Sequence, residues 1–427
     1  MLMSILSGLV RLASSGVTVY FVTLYALFGG LLYLLSSKLH QEDEEKDVVP
    51  GCRRIGIYNR SNLDDQHLSK YSMDEGDTSD SPILVKALNI HPIKSCAPLE
   101  LSVSDVIRTG PRFDRLFMLA FLSSKDQQWE FLTQRSKALM SQVVTEIWLP
   151  DESVSSYTPD GEWVKNGGCM VVRFPSPLVW SFTSMEGLIN AWSIFAAKMR
   201  TRTLPAKPMT TFRIPLLPTE ERMKEKGYTR EVTRIWKDFP ESINMTSEIP
   251  PETLAQLQHF INVERPLGIF RADPIRHREI HRNAPTAQDA GYQPIVSFAD
   301  AMLPENTFPY LDARRFRANI YITGAPAFAE DHWKKIRIGA SLYDVSCRTV
   351  RCTLPNVDPV SGVRDKHEPD RTLRRERDID PGAAKMACLG MQMVPLLKDP
   401  DVAEQVSVGD EVEVLEVGKH RYLPRLK

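Results

Sequence analysis

The chain has 427 residues and a mass of 48.4 kDa, with 53 Lys and Arg against 54 Asp and Glu, a net charge of −1 and a pI near 6.8. That balance excludes bulk binding to nucleic acid, and the length allows two or three domains around a sizeable core. The six cysteines follow no framework spacing, and there is no Cys-x-x-Cys. This excludes an ordinary structural zinc site and points to a reducing compartment.

Leu12 to Ser37 carries no formal charge over 26 residues and is rich in Leu, Val, Phe and Tyr. About 20 apolar residues cross the hydrocarbon layer as a helix, and no small-residue cleavage site follows. Residues 1–38 therefore read as an uncleaved membrane anchor with a single transmembrane helix. Arg11 and Lys38 flank it and leave its orientation open. Residues 39–81, with Glu42-Asp-Glu-Glu45 and Asp74-Glu-Gly-Asp77, have too few apolar groups to offset chain entropy, so a disordered acidic tether is expected.

Order is expected from Ile83 to Ile90, a strand leading into His91-Pro-Ile-Lys94-Ser95-Cys96. Leu99 to Ile107 alternates as a half-buried strand, Gly110-Pro111 breaks it, and Phe113 to Phe121 forms another apolar run. Short strands at such spacings suggest an antiparallel barrel or sandwich. Cys169 to Phe174 is a further strand. Met185 to Arg202 reads as a helix in which Leu188, Trp192, Phe195 and Met199 recur every three or four residues. That stripe is most simply core, with a membrane-surface helix as the alternative. Four prolines, Pro205, Pro208, Pro215 and Pro218, then predict an irregular crossing.

Val232–Trp236 and Leu267–Phe270 read as strands, and Pro251 to Ile261 as a helix with Pro near its start. Arg276 to Arg282 is a basic, solvated loop. Arg317-Ala-Asn319-Ile-Tyr-Ile-Thr-Gly324 and Leu342–Val345 read as strands, and Glu411 to Val417 is the last. After Val345 come Cys347-Arg-Thr-Val-Arg-Cys352 and a turn, Asp358-Pro-x-x-Gly362, in which Pro fixes one φ angle and Gly supplies a positive one. Guanidinium neighbours favour thiolate, the form that binds metals and attacks electrophiles. Small buried hydrophobes are the equal alternative for both cysteines.

The order of these pieces resembles a known family. His91-Pro-Ile-Lys94-Ser95-Cys96, Asp114-Arg115 and Leu132-Thr-Gln-Arg135 resemble the N-terminal β-barrel domain of the MOSC proteins, relatives of the C-terminal domain of molybdenum cofactor sulfurase. Arg315-Phe-Arg317-Ala-Asn319, Glu330-Asp-x-Trp333, Arg351-Cys352 with Asp358-Pro-x-x-Gly362, and Leu373 with Arg377 resemble the MOSC domain itself. With the anchor in front, the set is similar to the mitochondrial amidoxime reducing components, outer-membrane enzymes that carry a molybdenum cofactor and reduce N-hydroxylated compounds.

The resemblance implies a mainly β fold with α elements (α+β), with a β-barrel-like N-terminal domain over 82–275, carrying an insertion at about 175–208, and a MOSC β-barrel over 276–420. It places Cys352 on the molybdenum-ligating, catalytic cysteine; a soft thiolate suits that metal. It places Lys94, Ser95, Arg115, Arg317 and Arg351 on positions that hold the anionic pyranopterin and its phosphate, for which guanidinium groups are suited, and Asn319 on a cofactor-site position that orients the loop or donates to the pterin. The implied partners are a cytochrome b5-type electron donor with its reductase, small N-hydroxylated substrates, and the mitochondrial outer membrane, with the catalytic part facing the cytosol. Arg371, Arg374, Arg375 and Arg377 offer a docking patch diluted by Asp370, Glu376 and Asp378. The sequence departs from the family at Ala318, Ala299, Met302 and Gln392, which puts the shape of the pocket in question. A non-catalytic cofactor-binding or sulfur-carrier module is the alternative. The free-standing arrangement, without the sulfurase's pyridoxal-phosphate domain, speaks against that module, and the Lys94, Arg115, Arg317 and Cys352 set speaks against a plain membrane scaffold.

Overall fold

The structure, a computed structural model, describes residues 20, 22–27, 30, 48–58, 60–68, 82–178, 183–201, 207–296 and 311–423. The expected anchor lies outside the described residues apart from positions 20, 22–27 and 30, and among the described residues no helix is long and apolar enough to cross a membrane. By contact the chain divides into Met1–Pro50 with Pro175–Thr210, and Gly51–Phe174 with Thr211–Lys427.

The larger unit is mainly β, and its most apolar strands mark where two cores meet. Successive side chains of a strand point to opposite faces. In Phe117–Leu122, Phe117 and Leu119 enter the main core, while Met118 and Ala120 enter a smaller one. Leu267–Ala272 behaves alike, with Leu267 and Ile269 on one side and Phe270 and Ala272 on the other. With both faces covered, neither strand shows polar alternation. The two pair antiparallel, Leu267 opposite Phe121. With Trp129–Phe131, Thr229–Arg234 and Glu241–Asn244 they form a closed barrel. Closure comes through one parallel pair, Thr233 opposite Trp129, so the barrel is not purely antiparallel.

Strand pairing crosses the boundary expected at 275/276. Ile320–Thr323 pairs with Leu84–Ile90, and Glu404–Ser407 with Val103–Ile107. Backbone bonds from Val85 N to Asp410 O (2.9 Å) and from Val412 N to Ile83 O (2.8 Å) join the halves further. Val85, Ile90, Ile320, Ile336 and Met391 all belong to one core. A four-stranded antiparallel sheet runs in the order Cys388–Pro395, Ser341–Val350, Trp333–Ile338, Val412–Val417. Its register slips between Val345 and Cys347 and again between Arg348 and Val350; such bulges re-aim side chains and recur beside active sites.

Two expectations are corrected. The tether is ordered over 48–58 and 60–68: Cys52–Ile55 pairs with Val144–Pro150, and Leu63 is buried with Ala87, Ala313, Ala318 and Tyr321. A few well-placed apolar residues order a segment whose average composition is polar. The helix Met185–Thr201 forms, with Ser184 Oγ accepting from Gly187 N at 3.0 Å, but its stripe faces outward. Leu188, Trp192 and Phe195 are exposed and Met199 is half-buried, whereas Gly187, Ala196 and Ala197 are buried. Periodicity reports that a stripe exists and is silent about which side it faces.

Candidate functional site

Three turns bring cations to one place. After Leu84–Ile90 the chain bends through His91 and Pro92. Lys94 N donates to Phe117 O at 2.7 Å, and Arg115 N to His91 O at 2.8 Å. The 3-10 helix Ala313–Phe316 opens with Asp312 accepting from Arg314 N and ends at Arg317. Ser95, Arg115 and Arg317 hold φ angles of 70°, 46° and 55°. Left-handed backbone costs a residue with a Cβ about 1–2 kcal/mol. Such strain persists only where surrounding bonds fix it, and it gathers at functional sites.

These turns, the end of Ser341–Val350 and the loop after it enclose a cavity of about 200 Å³. Its polar lining is Lys94, Ser95, Arg115, Arg317, Thr349, Arg351, Cys352 and Gln392, and its apolar lining is Phe316, Val350, Leu354 and Pro355. Four cations line it and no carboxylate does. Six of the seven residues singled out from sequence thus stand around one space. Asn319 does not: buried behind the wall, it accepts from Arg115 Nη1 through Oδ1 (3.1 Å) and donates from Nδ2 to Asn89 O (2.9 Å). Its place is that of a residue positioning Arg115.

Each guanidinium is fixed by the backbone. Arg115 donates to the Asp114 carboxylate and from Nη2 to Arg317 O (3.0 Å). Arg317 donates from Nη1 to Cys96 O (2.6 Å), and its buried Nη2 has no hydrogen-bond partner among the described residues. Arg351 donates to Leu389 O (2.8 Å) and Phe316 O (2.9 Å). Burial, then the neighbouring Arg115, push Arg317 down to about 9, and burial pushes Arg351 down to about 10, so both remain cations at neutral pH. Burial also raises Asp114, yet the Arg115 cation and the His91 hydrogen bonds outweigh it and hold this carboxyl well below its usual range.

The thiols separate by position. Burial pushes Cys96 and Cys169 up to about 12 and Cys388 up to about 11, which keeps them protonated. Cys347 is buried and donates from Sγ to Gln392 Oε1 at 3.4 Å, a packing role with a link to the cavity wall. Cys352 is the cysteine that lines the cavity, and it is partly exposed where the others are buried. No cluster of His, Cys, Asp or Glu suited to hold a bare metal ion exists among the described residues. The chemistry on offer is instead a cradle for an anion, with one soft ligand at its edge.

Comparison with known proteins identifies two segments of the chain. The model of the MOSC N-terminal beta barrel domain matches residues 83–165, and that of the MOSC domain matches residues 295–413. The chain thus carries a MOSC N-terminal domain and a MOSC domain. Its relatives include mitochondrial amidoxime-reducing component 1 of Homo sapiens, 25% identical over 342 residues, which span 78% of this chain and 82% of that protein. The corresponding Mus musculus protein is 36% identical over 111 residues, 24% of this chain and 30% of that one. Molybdenum cofactor sulfurase of Homo sapiens is 29% identical over 133 residues, 28% of this chain and 14% of that one. The walls of the MOSC cavity come from both matched segments: Lys94, Ser95 and Arg115 from the first, Arg317, Arg351 and Cys352 from the second.

Other residues of the MOSC motifs serve elsewhere. Arg377 is buried, donates to Asp331 and stacks over Phe328 at 3.9 Å, so it drops out of the surface patch expected with Arg371, Arg374 and Arg375. Arg348 joins Asp331 and Asp380, each at 3.3 Å. Ala299 and Met302 lie outside the described residues. Thr349 and Phe316 line the cavity without having been singled out; each is next to a named arginine or one residue removed, the only signal the sequence offered.

Proposed function

We propose that the chain binds a molybdenum cofactor in this cavity and reduces N-hydroxylated substrates, N–OH plus two electrons and two protons giving N–H and water. The observation that carries the proposal is the carboxylate-free, four-cation cavity with Cys352 on its wall and an unmet buried donor on Arg317. Lys94, Arg115, Arg317 and Arg351 would hold the phosphate and pterin oxygens, the guanidiniums as forks and the ammonium as a point charge. Cys352 would be the protein's metal ligand, losing its proton on binding. When bound, the cofactor supplies a two-electron centre; the chain's part is to orient it and to keep one side open to substrate. Asp114 and Asn319 hold Arg115, while Gln392, fixed by Cys347, shapes the wall at a position where the sequence departs from the family.

The same proposal includes anchoring through residues 12–37, a mitochondrial outer-membrane location facing the cytosol, and electrons from a cytochrome b5-type donor and its reductase. Its support is the uncharged run and the names of the amidoxime-reducing relatives. Arg371 and Arg375 remain exposed for an acidic donor. The likeness to the sulfurase favours a second reading, a non-catalytic cofactor or sulfur carrier. Turnover separates them: molybdenum-loaded chain, reduced chemically, is expected to convert an amidoxime to its amidine. Loaded chain that leaves the amidoxime untouched would favour the carrier.

A further inference from the structure

The helix Met185–Thr201 is built inside out. Met185, Leu188, Ile189, Trp192 and Phe195 are 74%, 43%, 59%, 56% and 37% exposed. Their spacing of three or four residues puts them on one face, and the rings of Trp192 and Phe195 lie 5.6 Å apart. The buried positions belong to small residues, Ala196 and Ala197 at 4% and 5% exposure. A helix that packs on a protein core buries its large apolar side chains, and this one presents five of them, leaving Ile194 and Met199 half-buried.

From this face we infer that the helix lies on a lipid surface, an inference that rests on the anchoring part of the proposed function. Two further observations select that occupant. Residues 176–210 carry four cations, Lys198, Arg200, Arg202 and Lys207, against one acid, Glu186, a balance complementary to anionic headgroups. The helix also groups in one compact unit with residues 1–50, which hold the uncharged run from Leu12 to Ser37. Tryptophan and phenylalanine beside aliphatic residues, with basic residues toward one end, is the composition of a helix that lies in the interface plane rather than across the membrane. The anchor then tethers the chain while this helix fixes it against the bilayer.

Tryptophan fluorescence tests this on the full chain, because all seven tryptophans lie at position 129 or beyond and none is in the anchor run. The full chain is bound to vesicles of phosphatidylcholine and phosphatidylserine, with plain or acyl-brominated phosphatidylcholine. Bromine is expected to quench part of the wild-type emission, and Trp192→Phe is expected to lose about half of that quenching or more. Amides of 185–201 should exchange more slowly with vesicles than without, and less so in Leu188→Asp/Ile189→Asp. Equal quenching in wild type and Trp192→Phe, with the chain still floating with the vesicles, would overturn the helix while leaving the anchor standing. A chain that does not float at all would overturn both. Vesicle-independent protection of 185–201 that rises with protein concentration would assign the face to a second copy and overturn the lipid occupant.

Discussion

Arg317 is a buried cation whose hydrogen bonds go to a carbonyl and an amide, with no carboxylate in ion-pair range among the described residues. Desolvating such a charge without a counter-ion is expensive, and the arrangement makes sense when an anion completes it. The same crowd of cations acts on His91. Burial first, and then Arg317, depress its pKa well below 6.5. Below pH 6.5 the unfolded chain takes up a proton that the folded chain refuses, so stability is lost as pH falls, by up to about 1.4 kcal/mol per pH unit. His277 and His420 are depressed as well and share the slope. Urea midpoints between about pH 6.5 and 5 should therefore fall less steeply in His91→Gln than in wild type; identical slopes would show that His91 does not contribute. The cations themselves were legible from sequence because each stands in a short motif beside a turn. Asn319 was expected to orient the loop or donate to the pterin, and it accepts from Arg115; a motif fixes that a residue matters without fixing which neighbour it serves.

At the scale of elements, the loop that carries Cys352 is held by Asp358. Its Oδ2 accepts from Arg315 Nη2 at 2.7 Å, and its Oδ1 from Ser361 N at 2.8 Å and Ser361 Oγ at 2.9 Å. Arg315 also donates to Pro355 O at 3.2 Å, so one carboxylate ties both arms of the loop. Asp358→Ala is expected to lower global stability by only about 1 kcal/mol, since the pair is partly solvated. Amide exchange over residues 356–363 should nevertheless rise and bound molybdenum should fall. Unchanged exchange there would mean the loop is held by something else. The Asp-Pro-x-x-Gly turn was readable because its residues dictate their own φ angles, whereas the tie to Arg315, 43 positions away, was not. The helix Met185–Thr201 shows the converse: its period was plain, and only three-dimensional exposure reveals that the stripe points outward.

For the whole molecule, the division expected at 275/276 is crossed by two strand pairs and a shared core. Composition and periodicity are local, so they register the strands but not which distant strand each one joins. A fragment of residues 82–275 alone would expose the edges of Leu84–Ile90 and Val103–Ile107 and the apolar side chains that Ile320 and Ile322 cover. Expressed separately, it should lack cooperative unfolding by circular dichroism; a sharp two-state transition would show that the halves fold independently. The cavity depends on the same interlocking, because its cations come from segments more than 200 positions apart, as the bond between Arg115 and Arg317 shows. The central claim is that this interlocked site holds molybdenum through Cys352. Metal analysis of the purified full-length chain beside Cys352→Ala tests it most directly. About one molybdenum per wild-type chain is expected, with loss from a variant whose urea midpoint is unchanged; molybdenum retained by Cys352→Ala would contradict it.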